Sequence, residues 1–227
     1  MMNLQYTYSA ESQDLFVASV LDNKTQGTFL EIGSREPRYK NNTYLLEQIY
    51  GWRGIAVEWD KQFADIYNQD RLSPCICADA TELEYAELIE TAGFGAHIDY
   101  LQIDLETDTG LKTLQNFDLV RNTFSVITYE HDYGSQPGGA HAREESRRIL
   151  EAAGYTRVIS DAATQHNVTG LTPYANQSNE DWYILESHMP NENWKRFVGE
   201  FIITTTDHRD STLTELFNEL VKYPNKT

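Results

Sequence analysis

Apolar and polar positions along this chain switch between two periods, and the switches mark a regular series of elements. Over residues 9–22, Leu15, Phe16, Val20 and Leu21 recur at helical spacing and predict an amphipathic helix. The run Thr28–Ile32 is short and rich in strand formers, and it ends at Gly33. A polar loop follows through Asn42, which is expected to cap a helix with Leu45, Leu46 and Ile49 on its inner face and Gly51 as its stop. Residues 54–59 read as a second strand, 61–69 as a short helix and 74–77 as a third strand. Leu83, Ala86, Ile89 and Ala92 then repeat at helical spacing before Gly93. A fourth strand over 98–105, a helix over 108–115 and a fifth strand over 123–130 continue the alternation. The clearest helix spans 141–153, with Ala142, Ile149, Leu150 and Ala153 inward, Glu144 and Arg148 paired on its outer face, and Gly154 as its end. Strands over 155–160 and 181–186 close the series, with a polar loop between them.

Five strands alternating with helices imply parallel units with right-handed crossovers. The last two strands are joined by a loop alone, which permits one antiparallel strand at the edge. The expected fold is therefore an α/β, Rossmann-like, doubly wound, mostly parallel sheet in a single domain. Its core spans about residues 28–187, preceded by the helix of 9–22 and followed by an extension over 188–227. In that extension Trp194, Phe197, Phe201, Leu213, Leu216, Phe217 and Leu220 are apolar. Packing on the sheet is the first expectation for them, with covering the site or joining a second copy in a homo-oligomer as the others.

Composition narrows the partners. The 227 residues carry 18 Lys and Arg against 35 Asp and Glu, a formal net charge of −17, so nucleic acid and anionic membranes are not expected partners. The apolar runs are far shorter than a membrane span, and the first residues lack a basic segment followed by an apolar one, which together imply a soluble, cytoplasmic protein. The only cysteines, Cys75 and Cys77, are two apart in an apolar stretch and read as buried, reduced thiols.

Ligands of such sheets bind where the strands end at their carboxyl termini. After the first strand stand Glu31, Gly33 and Ser34, followed by a loop with the basic residues Arg35, Arg38 and Lys40. Gly33 lets a ligand approach the backbone, but it is alone, whereas a dinucleotide loop needs three glycines. Glu58 and Trp59 follow the second strand, where an acid can accept both hydrogen bonds of a ribose diol. Asp79 and Ala80 follow the third strand, Asp104 and Glu106 the fourth, and Glu130, His131 and Asp132 the fifth.

In order and spacing these segments resemble the FkbM-type S-adenosylmethionine-dependent methyltransferases from about Phe29 to Glu186. The resemblance rests on Glu31, Gly33, Asn42, Thr43 and Glu47; on Gly51, Trp52, Gly54, Ile55 and Glu58; on Asp104; on Glu130 and His131; on Gly154 and Tyr155; and on the run 180–183. Two departures touch the ligand crevice. Arg35, Glu36 and Pro37 replace the family's usual Asn-Asp-Gly, and Thr107 follows Glu106 where a Gly is common.

The resemblance implies S-adenosylmethionine as cofactor, with Glu31, Gly33, Ser34, Asn42, Thr43, Glu58, Trp59, Asp79, Ala80 and Asp104 around it, and O-methylation of a small hydroxylated acceptor such as a sugar. Methyl transfer to a hydroxyl needs a group that takes the proton, and His131, Asp104 and Glu130 are the candidates by position. Asp104 and Glu130 also have the hard oxygens that suit Mg²⁺. Arg35, Arg38, Glu106 and Asp132 are the candidates for holding the acceptor. An NAD-type oxidoreductase is the rival enzyme class, disfavoured by the missing glycines. A non-catalytic binding protein that keeps the fold is the rival outside catalysis, motivated by the 35–37 departure.

Overall fold

The computed structural model describes residues 7–165, 177–198 and 203–205. The chain runs α1 (Gln13–Val20), β1 (Thr28–Ile32), α2 (Tyr44–Tyr50), β2 (Arg53–Glu58), α3 (Lys61–Asp70) and β3 (Cys75–Cys77). It continues through α4 (Tyr85–Thr91), β4 (His97–Ile103), α5 (Thr107–Gln115), β5 (Thr123–Glu130) and α6 (Gly139–Ala152) to β6 (Thr156–Gln165), β7 (Gln177–Ile184) and β8 (Ile203–Thr205). The strands form one sheet in the order β3, β2, β1, β4, β5, β7, β6, β8. Only β7 is antiparallel to its neighbours, and it lies between β5 and β6 rather than at the rim. Chain order reverses between β1 and β4, so the crevice of this doubly wound sheet opens above their carboxyl ends.

Each face of the sheet is closed by its own apolar layer. Leu15, Phe16 and Val20 of α1 and Leu45 and Leu46 of α2 pack on Phe29, Tyr100, Val126, Trp182 and Ile184. Residues of the opposite parity, Leu30, Ile32, Leu101, Ile103, Ile127 and Tyr183, pack with Ile89, Leu114 and Leu150 of α4, α5 and α6. The strands buried on both sides are those that read as continuous apolar runs. Trp194 and Phe197 are buried with the α1 layer, the packing expected for that stretch, while Phe201 and residues 213–220 lie outside the described residues.

Several local expectations are corrected. The first helix begins at Gln13, because residues 9–12 run as a strap with Ser12 at φ 68°. Asn41 caps α2 instead of Asn42: its Oδ1 accepts the Thr43 and Tyr44 N–H groups at 3.1 and 2.8 Å. Ile49 faces solvent and Glu47 turns inward, since a buried arginine awaits it. Arg148 pairs with Glu145, not Glu144. Cys75 is buried, but Cys77 is exposed at the end of its short strand.

Candidate functional site

The rim of the crevice is built where β1 and β4 end. Gly33 continues the ladder by donating its N–H to the Val57 carbonyl, and Asp104 donates to the Ile32 carbonyl. Gly33 has φ 87°, and a Cβ there would stand 2.0 Å from the Asp104 carbonyl oxygen, so both conformation and space demand glycine. The loop after β1 is pinned by Glu58, whose Oε2 accepts the Arg35 N–H at 2.8 Å and whose Oε1 accepts the Asp60 N–H at 2.9 Å. Each of these buried oxygens keeps a second lone pair. Trp59 beside it is strongly exposed. Asp79 is exposed and takes the Thr81 N–H and hydroxyl, capping a short 3-10 turn that begins at Ala80.

Behind the loop lies a closed polar network. The Arg71 guanidinium ion-pairs with Glu47 at 2.7 Å and donates to the Pro37 carbonyl, Asn41 Oδ1 and Thr43 Oγ1. Glu31 accepts the Thr43 hydroxyl at 2.9 Å and the Tyr67 hydroxyl at 3.1 Å. Burial raises Glu31 above the usual carboxylate range against the pull of the Arg71 charge. Burial also acts to raise Glu47, but the Ser73 hydrogen bonds and Arg71 outweigh it and hold it low. Glu31 and Thr43 are therefore engaged in holding the loop. Asn42 is different: it is buried, and its Oδ1 has no hydrogen-bond partner. Ser34 is buried too, its hydroxyl 3.7 Å from the Cys75 sulfur.

The basic residues of the loop are less available than the sequence implies. Arg38 is ion-paired to Asp70, and Arg35 lies 5.8 Å from the Phe63 ring centre.

Across the rim, acids gather. Glu130 stands opposite Glu180 in the β5 to β7 register, a like-charge pair that costs stability when both are ionised. Glu130 is surrounded by protein yet keeps part of its surface open, while Asp104 is exposed. Burial, then the Asp104 charge and a hydrogen bond to Asp104, lift Glu130 well above the ordinary range. Asp132, half-buried, is raised by burial and by Asp104. Glu180 is raised by burial and by Glu11, and Glu11 is pushed up to about 7 by burial and by Asp104. Among the described residues, no Lys or Arg forms an ion pair with Asp104, Glu130, Asp132 or Glu180. Glu106 is exposed at the start of α5.

His131 is not beside these acids in function. It is fully buried, its Nδ1 accepts the Tyr133 N–H at 3.2 Å, and its Nε2 faces Asp161 and Asp181 at 3.7 and 3.6 Å. Neither nitrogen is open to an acceptor, which removes the basis for reading it as the proton-taking group. His131, Asp161 and Asp181 are the only group of three close enough to share an ion among the described residues. Arg143 and Arg147 already neutralise both aspartates at 2.5 to 3.0 Å, so a cation would have to displace them. Among the described residues Asp104 and Glu130 belong to no such group of three, and nothing supports the Mg²⁺ expectation.

Glu11, Gln13 and Glu180 were not singled out from the sequence as site residues. Gln13 Nε2 donates to Glu11 at 2.9 Å and to Glu180 at 2.5 Å, tying the strap before α1 to β7. Their pairing spans 167 positions, and the two adjacent acids Glu180 and Asp181 just before the apolar half of β7 are its one sign in the sequence.

No family model matches the chain, and no curated protein matches it. Solved structures do. The chain is similar to cofactor-bound Rv0187 from MTB (TM-score 0.51, 14% identity, 79% of this chain and 81% of that one). It is also similar to an O-methyltransferase from Bacillus cereus in complex with SAH (0.50, 15%, 77% and 80%) and to human methyltransferase 10 domain containing protein (0.50, 12%, 76% and 80%). At these identities the shared property is the fold, the Rossmann-like class I methyltransferase architecture. No helix among the described residues is long and apolar enough to cross a membrane.

Proposed function

We propose that this protein is an S-adenosylmethionine-dependent methyltransferase that transfers a methyl group to a hydroxyl of a small acceptor, in keeping with its FkbM-like segments. The observation that carries the reading is the acidic rim of Asp104, Glu130 and Asp132, which form no ion pair with Lys or Arg among the described residues, opposite Gly33 at the switch point of the sheet. Acids crowded together at a partly buried rim repel one another unless protons or a cationic ligand neutralise them. When bound, S-adenosylmethionine supplies a methyl group on a positively charged sulfur, and an acidic rim suits that charge. The residues fit the group: Gly33 offers bare backbone, each Glu58 oxygen keeps a lone pair for a ribose hydroxyl, and the buried Asn42 amide oxygen has no hydrogen-bond partner among the described residues.

In this reading Glu130 receives the acceptor's proton. A carboxyl raised by burial and by Asp104 holds a proton more strongly than an ordinary one and so is better matched to that task. Asp104 holds the charge beside it, and Asp132 and Glu106 orient the acceptor. Calorimetry with S-adenosylhomocysteine and with NAD separates the enzyme classes: binding of the first alone supports the proposal, and its failure to bind ends it. Glu58→Ala should weaken that binding by about 1 to 3 kcal/mol through lost charge-assisted hydrogen bonds. Activity unchanged by EDTA would remove the Mg²⁺ reading of Asp104 and Glu130, and loss of activity would restore it.

A further inference from the structure

Glu130 is the last residue of β5 and Asp132 lies just beyond it, so the chain leaves the sheet at the residue between them, His131. Asp132 turns at φ 50°, a left-handed conformation uncommon outside glycine, which persists where the surroundings fix it. They fix it from several sides. The His131 and Asp132 N–H groups both donate to the Asn179 carbonyl of β7, at 2.6 and 2.9 Å. The Ser135 hydroxyl donates to Asp132 Oδ1 at 2.6 Å. Gly139, the first residue of α6, comes so near that a Cβ on it would stand 2.3 Å from the Asp132 carbonyl oxygen. From within the turn, His131 Nδ1 accepts the Tyr133 N–H at 3.2 Å.

The imidazole is held in its turn. An Nδ1 that accepts a hydrogen bond leaves the ring proton on Nε2, which faces Asp181 at 3.6 Å and Asp161 at 3.7 Å. A bulge brings these two aspartates together. Asp161 sits at φ 60° where the register of β6 against β7 shifts, and its N–H donates to Asp181 Oδ1 at 2.8 Å. Arg147 of α6 bonds to both aspartates and Arg143 to Asp161, and the Arg143 guanidinium also lies 4.4 Å from the centre of the Tyr133 ring. Tyr133 is thus gripped at its ring by α6 and at its N–H by His131. Asp132 stands between the two gripped residues.

We propose that His131 is a positioning residue, which through its Nδ1 sets the Asp132 turn and with it the charge that the acidic rim offers to a cationic ligand. The inference rests on the methyltransferase reading. The Asp132 carboxyl is placed to matter: burial raises it, the Ser135 hydroxyl opposes that, and the Asp104 and Glu106 charges from the exit of β4 add to the rise. A carboxylate held there favours a positive charge in the crevice and gives a neutral ligand of the same shape no such advantage. S-adenosylmethionine carries that charge and S-adenosylhomocysteine does not. The ratio of their affinities therefore reads the placement of the rim, while the affinity for the neutral ligand alone reads the integrity of the fold and of the other cofactor contacts.

Two variants separate the two ring nitrogens. In His131→Asn the amide stands where Nδ1 stood and can still accept the Tyr133 N–H, but nothing reaches Asp161 and Asp181. In His131→Gln the longer amide takes the place of Nε2 and the acceptor for Tyr133 is lost. Calorimetry with both ligands on the full chain should show the preference for the cation falling in His131→Gln by on the order of fivefold and holding within about twofold in His131→Asn. Affinity for S-adenosylhomocysteine should be the same in both. A preference that is unchanged in both variants, falls equally in both, or falls in His131→Asn alone overturns the proposal. Imidazole ¹⁵N resonances of the wild type should show the proton on Nε2, and a proton on Nδ1 alone overturns it even where neither variant folds. Wild-type protein that binds neither ligand ends the methyltransferase reading and this inference with it, whereas binding with a preference indifferent to His131→Gln ends only the inference.

Discussion

Glu180 and Asp181 are neighbours in sequence, both buried on β7, and they live in opposite electrostatic worlds. Successive side chains of a strand point to opposite faces. Asp181 meets Arg147 of α6 at 2.6 and 2.8 Å, with Arg157 at 3.8 Å and His131 at 3.6 Å. Burial acts to raise its carboxyl, but those partners overcome it and hold it far below the ordinary range. Glu180 meets Glu11, Asp104 and Glu130, and is driven up. One face has been neutralised by the chain itself and serves to fasten β5, β6, β7 and α6 together. On the other face no Lys or Arg among the described residues pairs with Glu180, Glu130 or Asp104, and that is where a cationic ligand or a proton has something to do.

The largest test of this contrast is Arg147→Ala. It leaves Asp181 buried with the Asp161 N–H and the Tyr183 hydroxyl still donating to it but only the more distant Arg157 and His131 as possible counter-charges among the described residues, and should lower stability by about 2 to 4 kcal/mol in urea unfolding. Glu180→Gln should do the reverse near pH 8, because it deletes a buried charge surrounded by like charges while keeping an acceptor for the Gln13 amide. If the two variants lose comparable stability, the acid cluster is as well compensated as the arginine-bound one and the distinction fails.

The pH dependence of stability sharpens the same point. Asp181 has a depressed folded pKa, so its contribution is present above the ordinary aspartate range and is lost only in strong acid. Glu11, Glu130 and Glu180 have raised folded pKa values, so their contribution is complete below about pH 4.5 and is lost as pH rises through those values. Between about pH 5 and pH 8 the first term is constant and the second falls, and the urea midpoint should drop. Glu180→Gln should make that drop shallower, by at most about 1.4 kcal/mol per pH unit, the limit for one proton. A midpoint that rises with pH would contradict the acid cluster outright.

The sheet was legible because its signal is local. The β-forming residues of the run 123–130 and the glycines at 33, 51, 93 and 154 mark elements and their ends wherever they end up in space, and the order of strands and helices then restricts the topology. The place of the crevice followed from that topology. Which acids would be spent and which left over was not legible, because partners arrive from far away: Arg71 for Glu47, Arg147 for Asp181, Gln13 for Glu180. Helical spacing does not reveal that Arg143 and Arg147 reach over the sheet to Asp161 and Asp181. The choice of Asn41 over Asn42 as cap turned on a single residue of phase in a polar loop, where periodicity carries no information.

The smallest expected effect belongs to Arg148, the residue next to Arg147 on α6. Its guanidinium is exposed and its partner Glu145 lies three positions earlier on the same helix. In water an exposed pair gains little Coulomb energy and gives up side-chain freedom to hold its geometry, so Arg148→Ala should leave the urea midpoint unchanged within error. The substitution removes the same charge from the same helix as Arg147→Ala, one position away. If the two variants fall together, the stabilising quantity is the net charge of α6 against an acidic protein. If only Arg147→Ala falls, it is the burial of Asp181 that makes its arginine indispensable, and the same physics makes Glu180, buried among acids, the place where protonation has leverage.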